Sequence, residues 1–90
     1  VFETNDKNLR KRLVRQVSGF LLDLWRDGYF SGSTPEQGFY VRCDEELNPP
    51  ENIDLGILTF EVGIAIVHPT EFFKITLTAE KDGASVYLQE

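Results

Sequence analysis

Between Leu58 and Ile66 the chain alternates without a break, with Leu58, Phe60, Val62, Ile64 and Ile66 on one side and Thr59, Glu61, Gly63 and Ala65 on the other. A period of two with one apolar side predicts a half-buried β-strand. The flanks repeat the pattern: Phe39/Val41/Cys43 alternate with Tyr40/Arg42 ahead of it, and Phe73/Ile75/Leu77 with Lys74/Thr76/Thr78 behind it. Pro49-Pro50 and Pro69 fall in the gaps, as they should, because proline cannot donate to a sheet ladder. The spacing predicts a small, mainly antiparallel sheet with one apolar face.

A cover for that face is written upstream. Leu9, Leu13, Val17, Phe20, Leu21 and Leu24 recur in steps of three and four, the stripe of an amphipathic helix. Asn5 or Asp6 offers the N-cap, and Asp27-Gly28 ends the helix with glycine as a left-handed C-cap. About twenty-two residues at 1.5 Å each would reach roughly 33 Å, enough to cross the whole sheet. The predicted fold class is therefore α+β, one long N-terminal helix packed on a small sheet.

The remaining elements are short. Val1–Thr4 has the composition of a brief strand. Ser33 to Gln37 carries a capping box with Thr34 at N-cap, Pro35 at N1 and Gln37 at N3, with room for one helical turn before Gly38. Residues 44–56 read as a polar connection holding Asp44, Glu45, Glu46, Glu51 and Asp54, extended at Asn48-Pro49-Pro50 because residues before proline avoid the helical region. Asp82-Gly83 signals a two-residue hairpin that would set Leu77 and Ala79 against Leu88 and Val86. The last strand, Ala84–Gln89, would then be an edge, free to pair within the chain or with another.

Composition bounds what such a chain can do. Ninety residues make one domain with one core, and 41% hydrophobic residues are too many for a disordered chain. No apolar run is long enough to span a bilayer, and the first ten residues, polar from the third onward, are no signal peptide. Methionine is absent even at position 1, which is expected of a piece cut from a longer protein, with the missing part upstream. A single cysteine, Cys43, excludes an internal disulfide; on the apolar side of its strand it reads as a small buried hydrophobe in a cytosolic protein. A net charge of −6 argues against general nucleic-acid binding. That charge is uneven: residues 1–30 carry six Lys/Arg against four Asp/Glu, and residues 31–90 carry three against eleven. Head-to-tail contact between copies and a simple solvated helix face both account for it.

The outer side of the helix gathers Lys11, Arg12, Arg15 and Arg26 within about 100° of arc, with Leu22 in their midst. Two readings stand, an ordinary solvated face and a docking surface for an acidic partner with Leu22 as apolar anchor. Trp25, at the border of the two faces, reads as a core-edge residue. Cys43, His68 and Asp44 are the only material for a thiol-based triad, but Cys43 is expected inside and Asp44 outside. The carboxylates of 44–54 lack the alternating spacing of a calcium loop and read as a solvated or partner-facing acidic patch. Neither a glycine-rich phosphate loop nor Cys/His metal spacing is present. The residues describe an interaction protein without cofactor, metal or enzymatic chemistry.

The ordered wording from Asp6 to Leu77 resembles the C-terminal domain of contractile-tail sheath proteins of myophages, R-type bacteriocins and extracellular contractile injection systems. The resemblance is carried by Trp25 with Asp27-Gly28, the run G-S-T-P-E-Q-G-F-Y-V-R-C-D at 32–44, the Asn48-Pro49-Pro50 turn, Asp54-x-Gly56 opening a strand that ends in Val67-x-Pro69, and Glu71-Phe72. It covers about residues 1–78 and implies a domain over 1–80, followed at 81–90 by a hairpin or an exchanged strand arm. It further implies a structural subunit that polymerises as rings or a helix around an inner tube, with neighbours linked by exchanged strands while contraction drives the tube into a target. The implied partners are further copies, the inner tube protein, and baseplate and terminator proteins, with neither nucleic acid nor membrane. Assembly would occur in the cytoplasm, ahead of incorporation into a virion or injection particle. On this reading Lys11, Arg12, Arg15, Leu22 and Arg26 face the tube or a neighbour, and Phe72, Lys74, Thr76, Thr78, Val86 and Leu88 belong to the inter-subunit strand. A non-polymerising adaptor or baseplate-type binding module is the alternative.

Overall fold

The computed structural model describes residues 7–80 and 83–89, with the backbone alone for Lys7 and for 83–89. In chain order the elements are α1 (Lys7–Arg26), the single turn α2 (Pro35–Gly38), β1 (Phe39–Arg42), the short α3 (Pro50–Asp54), β2 (Leu58–Ile64), β3 (Phe73–Glu80) and β4 (Gly83–Gln89). The strands form one sheet in the order β1-β2-β3-β4, antiparallel at every pair. This is the predicted α+β fold. The strand expected at Val1–Thr4 and the N-cap expected at Asn5 or Asp6 lie outside the described residues.

Helix α1 stops where its glycine says it should. Gly28 takes φ 87°, its N–H bonds the Trp25 carbonyl at 3.0 Å, and the Tyr29 N–H reaches the Leu24 carbonyl at 3.1 Å, a paired closure that satisfies two terminal carbonyls. The face turned to the sheet, however, is rotated from the predicted stripe. Arg10 and Leu21 are buried and Trp25 half-buried, whereas Phe20 is 64% exposed. Trp25 supplies the reason: its indole N–H donates to the Gly32 carbonyl at 3.1 Å, and its ring fills the space where a Cβ on Gly38 would stand. Seating Trp25 under this loop turns Phe20 outward. Leu22, one turn before Trp25, is carried partway in and is not the exposed anchor expected.

The same docking limits how much sheet the helix covers. α1 rests mainly on β1, not across all four strands. Beside it an apolar groove of about 550 Å³ is left between Gln16, Val17, Phe20 and Leu21 of the helix and Val62, Ile75 and Leu77 of the sheet.

Strand β2 carries the core, with Leu58, Phe60 and Val62 buried. It ends sooner than its alternation suggests, and Ile66 is 53% exposed. Past Ile64 the backbone turns to the loop before β1: the Ala65 N–H bonds the Gly38 carbonyl at 2.8 Å, the Ser31 N–H bonds the Ala65 carbonyl at 2.7 Å, and the Ser31 hydroxyl bonds the Ile66 carbonyl at 2.8 Å. These bonds bury Ala65 and push Ile66 into solvent.

Three further details correct the sequence reading. Gln37 does not cap Thr34, whose side chain makes no cap bond; its amide oxygen accepts from the Ser33 N–H at 2.9 Å and the Ser33 hydroxyl at 3.2 Å, one residue earlier. Residues 50–54 form a helical turn, for which proline at the first position is well suited. The β3–β4 hairpin pairs Glu80 with Gly83, so Leu77 faces Val86 and Ala79 faces Ala84 rather than Leu88 and Val86 facing that pair. The observed register sets Ile75 opposite Leu88; the expected one would have set Glu90 there, an apolar–charged mismatch that cross-strand pairing disfavours.

Candidate interaction surfaces

Four of the five predicted interface residues on α1 reach solvent: Lys11, Arg12, Arg15 and Arg26 are exposed, Lys11 at the edge nearest β1, beside Val41. Asp23 is exposed along the same row and dilutes it. The structure thus brings the basic residues together on one open surface but withdraws Leu22 from it.

The predicted linking strand is distributed differently. Phe72 precedes β3 and packs its ring edge-on against Tyr40, with centroids 5.0 Å apart. Lys74, Thr76 and Thr78 sit on β3, which is an interior strand: Lys74 pairs with Gly63 on one side and Gln89 on the other, Thr76 with Glu61 and Tyr87, Thr78 with Thr59 and Ser85. With both edges occupied, β3 has no backbone left to offer a second chain. Among the described strands, only β1 and β4 lie at the outside of the sheet. Of the predicted set, Val86 and Leu88 are therefore the ones on an outer strand.

The sheet face opposite α1 carries a polar network. Tyr40 lies flat over Gly63, its cross-strand partner, where any Cβ would enter the ring. Its hydroxyl donates to Glu61 Oε2 at 2.6 Å. Burial and that carboxylate push the Tyr40 hydroxyl pKa up to about 12. Arg42 meets Asp44 at 2.6 Å, Glu46 at 2.9 Å and Glu61 at 3.6 Å. The Leu47 N–H and then Arg42 hold the Asp44 carboxyl below its ordinary range. Such partly exposed pairs orient the acidic loop more than they stabilise the fold.

The loop itself is fastened by one side chain that the sequence reading passed over. Asn48 is 1% exposed; its amide nitrogen donates to the Thr59 and Asp44 carbonyls, both at 3.0 Å, and its oxygen accepts the Thr59 N–H at 2.8 Å. Where β1 leaves β2 after Arg42, Asn48 takes over as the hydrogen-bonding neighbour of β2. An Asn immediately before Pro-Pro was the available signal, since Pro49 is extended and Pro50 opens α3 while the amide turns inward.

Thiol chemistry finds no assembly. Cys43 is half-buried with its pKa raised by burial, and His68 is exposed in the β2–β3 loop at the opposite end of the β1–β2 pair. Among the described residues no cluster of His, Cys, Asp or Glu has the geometry to hold a metal ion, and no helix is long and apolar enough to cross a membrane.

The other residue missed is Arg10. Set among apolar neighbours at Val14, Val17 and Leu21, it lies on the sheet-facing side of α1 and is only 8% exposed. Among the described residues its Nε has no hydrogen-bond partner. Its charge argues against the apolar stripe, although its spacing of seven residues to Val17 and eleven to Leu21 places it there. Compared with known protein families and with curated protein sequences, the chain matches none.

Proposed function

We propose that this chain is a structural subunit domain of a contractile tail or injection-system sheath, built to contact an inner tube and its own neighbours. The observation that carries the reading is the open basic row of Lys11, Arg12, Arg15 and Arg26 on a fold whose residues, in order, resemble that family. The sheet contributes an outer strand at each side, the geometry strand addition uses to link copies into an open polymer. The acidic excess of residues 31–90 complements the basic row of a neighbouring copy. On this reading the domain needs no cofactor, works in a cytoplasmically assembled particle and has no catalytic task. One observation favours the adaptor reading: β4 pairs with β3 of its own chain, which closes the very edge an exchanged strand would occupy.

Negative-stain electron microscopy of the full-length parent protein, purified alone and concentrated, separates the two. Hollow striated tubes are expected, with Arg12→Glu/Arg15→Glu folding normally but assembling poorly. Discrete small particles at every salt concentration would replace the sheath by the adaptor, and normal tubes from the double variant would remove the basic row from the mechanism.

A further inference from the structure

A guanidinium N–H withdrawn from water and left without a partner is costly, and proteins rarely keep one unless something completes it. Arg10 is 8% exposed, and among the described residues its Nε–H has no hydrogen-bond partner. It stands between two depressions: one of about 520 Å³ lined by Lys11, Val14, Val41 and Cys43, and one of about 260 Å³ lined by Asn48, Pro50 and Ile53. Glu45 lies at the rim of both, and Asp44 at the rim of the larger one, already held by Arg42 and the Leu47 N–H. The planar fork of an arginine matches a carboxylate in two-point contact. Val14 and Val41 give the cleft apolar walls that suit the methylenes of an Asp or Glu side chain. The acidic rim disfavours anything more highly charged, such as a phosphate dianion.

We propose that the Arg10 cleft is a carboxylate-binding site, filled by an acidic side chain from a second copy of the chain. The site stands on the burial of Arg10 and on the cleft. Only the identity of the donor rests on the self-assembling reading, through the eleven acidic residues that residues 31–90 set against three basic ones. It meets the exposed row only at Lys11, which lines the cleft; Arg12, Arg15 and Arg26 lie outside it.

The test is an NMR titration of the chain with sodium acetate against sodium chloride at matched ionic strength, reading the Arg10 Nε–H and the Val41 and Cys43 amides. A saturable, acetate-specific shift is expected. It should weaken about tenfold or more in Arg10→Met, the factor equivalent to ~1.4 kcal/mol, while the amide spectrum shows the fold retained. Arg10→Lys, which keeps the charge and loses the fork, should fall between and covers the case in which the Met variant does not fold. A response absent from the parent and from Glu45→Gln alike, an equal response to chloride, or one unchanged in the Arg10 variants overturns the site. A response that emerges only in Glu45→Gln shows Glu45 filling the cleft from within and overturns the intermolecular donor. Sedimentation then tests the second copy: saturating acetate should dissociate the self-associated chain, and a chain that never associates, or that ignores acetate, has another donor. Tubes from the parent protein can form with this site empty, so its failure and that of the sheath reading are separately visible.

Discussion

The two sides of β2 are finished in different ways. Toward β1 every gap is closed by a specific group: Asn48 completes the ladder, Tyr40 covers Gly63, and Arg42 gathers Asp44, Glu46 and Glu61. Toward β3 the backbone is fully paired, but the apolar face stays half-covered, with Ile75 and Leu77 lining an open groove beside Phe20. The difference follows from the physics of the two debts. An unpaired buried backbone group costs about 1–3 kcal/mol at a single point and must be met by one particular atom. Uncovered apolar surface costs only in proportion to its area, so it can be left partly undone.

Four measurements would break or sharpen this contrast, and the largest effect belongs to Asn48. Asn48→Ala strands the Thr59 N–H and two carbonyls, and a loss of about 3 kcal/mol in chemical denaturation is expected; a loss below a third of that would show water replacing the amide. Gly63→Ala comes next, because its methyl would enter the Tyr40 ring, which Glu61 and Phe72 hold in place; about 2 kcal/mol of overpacking should appear as a lower Tm. If instead the variant matches the parent, the ring is not fixed.

Tyr40 gives a smaller, pH-selective effect. Its folded pKa lies above the ordinary value of 10.0, so its contribution is present below that pH and lost as pH rises toward about 12. Alkaline denaturation should therefore lose its Tyr40-dependent component in Tyr40→Phe, with the late part of the parent's phenolate absorbance lost in the same variant. Phe20→Gln, in the open half, should change stability by under about 0.5 kcal/mol. A larger loss would mean that the groove is better covered in solution than its 64% exposure of Phe20 implies.

Much of the architecture was legible because it rests on periodicity. The alternation at 58–64 marks the strand and the stripe of α1 marks the helix, though not the face it buries, and Gly28 marks the helix end through a conformation other residues avoid. What escaped depended on contacts distant in sequence. The rotation of α1 is set by Trp25 against Gly32 and Gly38, the exit of Ile66 by Ser31, and the role of Asn48 by Thr59. The basic row could be read as a helix face, whereas Arg10 could not be read as buried, since charge alone argues against it. The resemblance points to β3 and the tail for the linking strand, and no pattern within β3 reveals that neighbours of its own chain occupy both its edges.

The order of strands along the sheet is also their order along the chain, and this bears on how the molecule assembles in time. Positions 81 and 82 alone separate β3 from β4, while residues 43–57 must be gathered before β1 meets β2. Closing a longer loop costs more chain entropy, so nucleation favours the C-terminal ribbon of β2, β3 and β4. α1 and β1, joined through Trp25 and the loop it pins, then arrive as one late unit and depart first. Native-state hydrogen exchange should accordingly find slower amides at Phe60 and Leu77 than at Val41, and a chain caught mid-way would carry its ribbon formed and its apolar face bare.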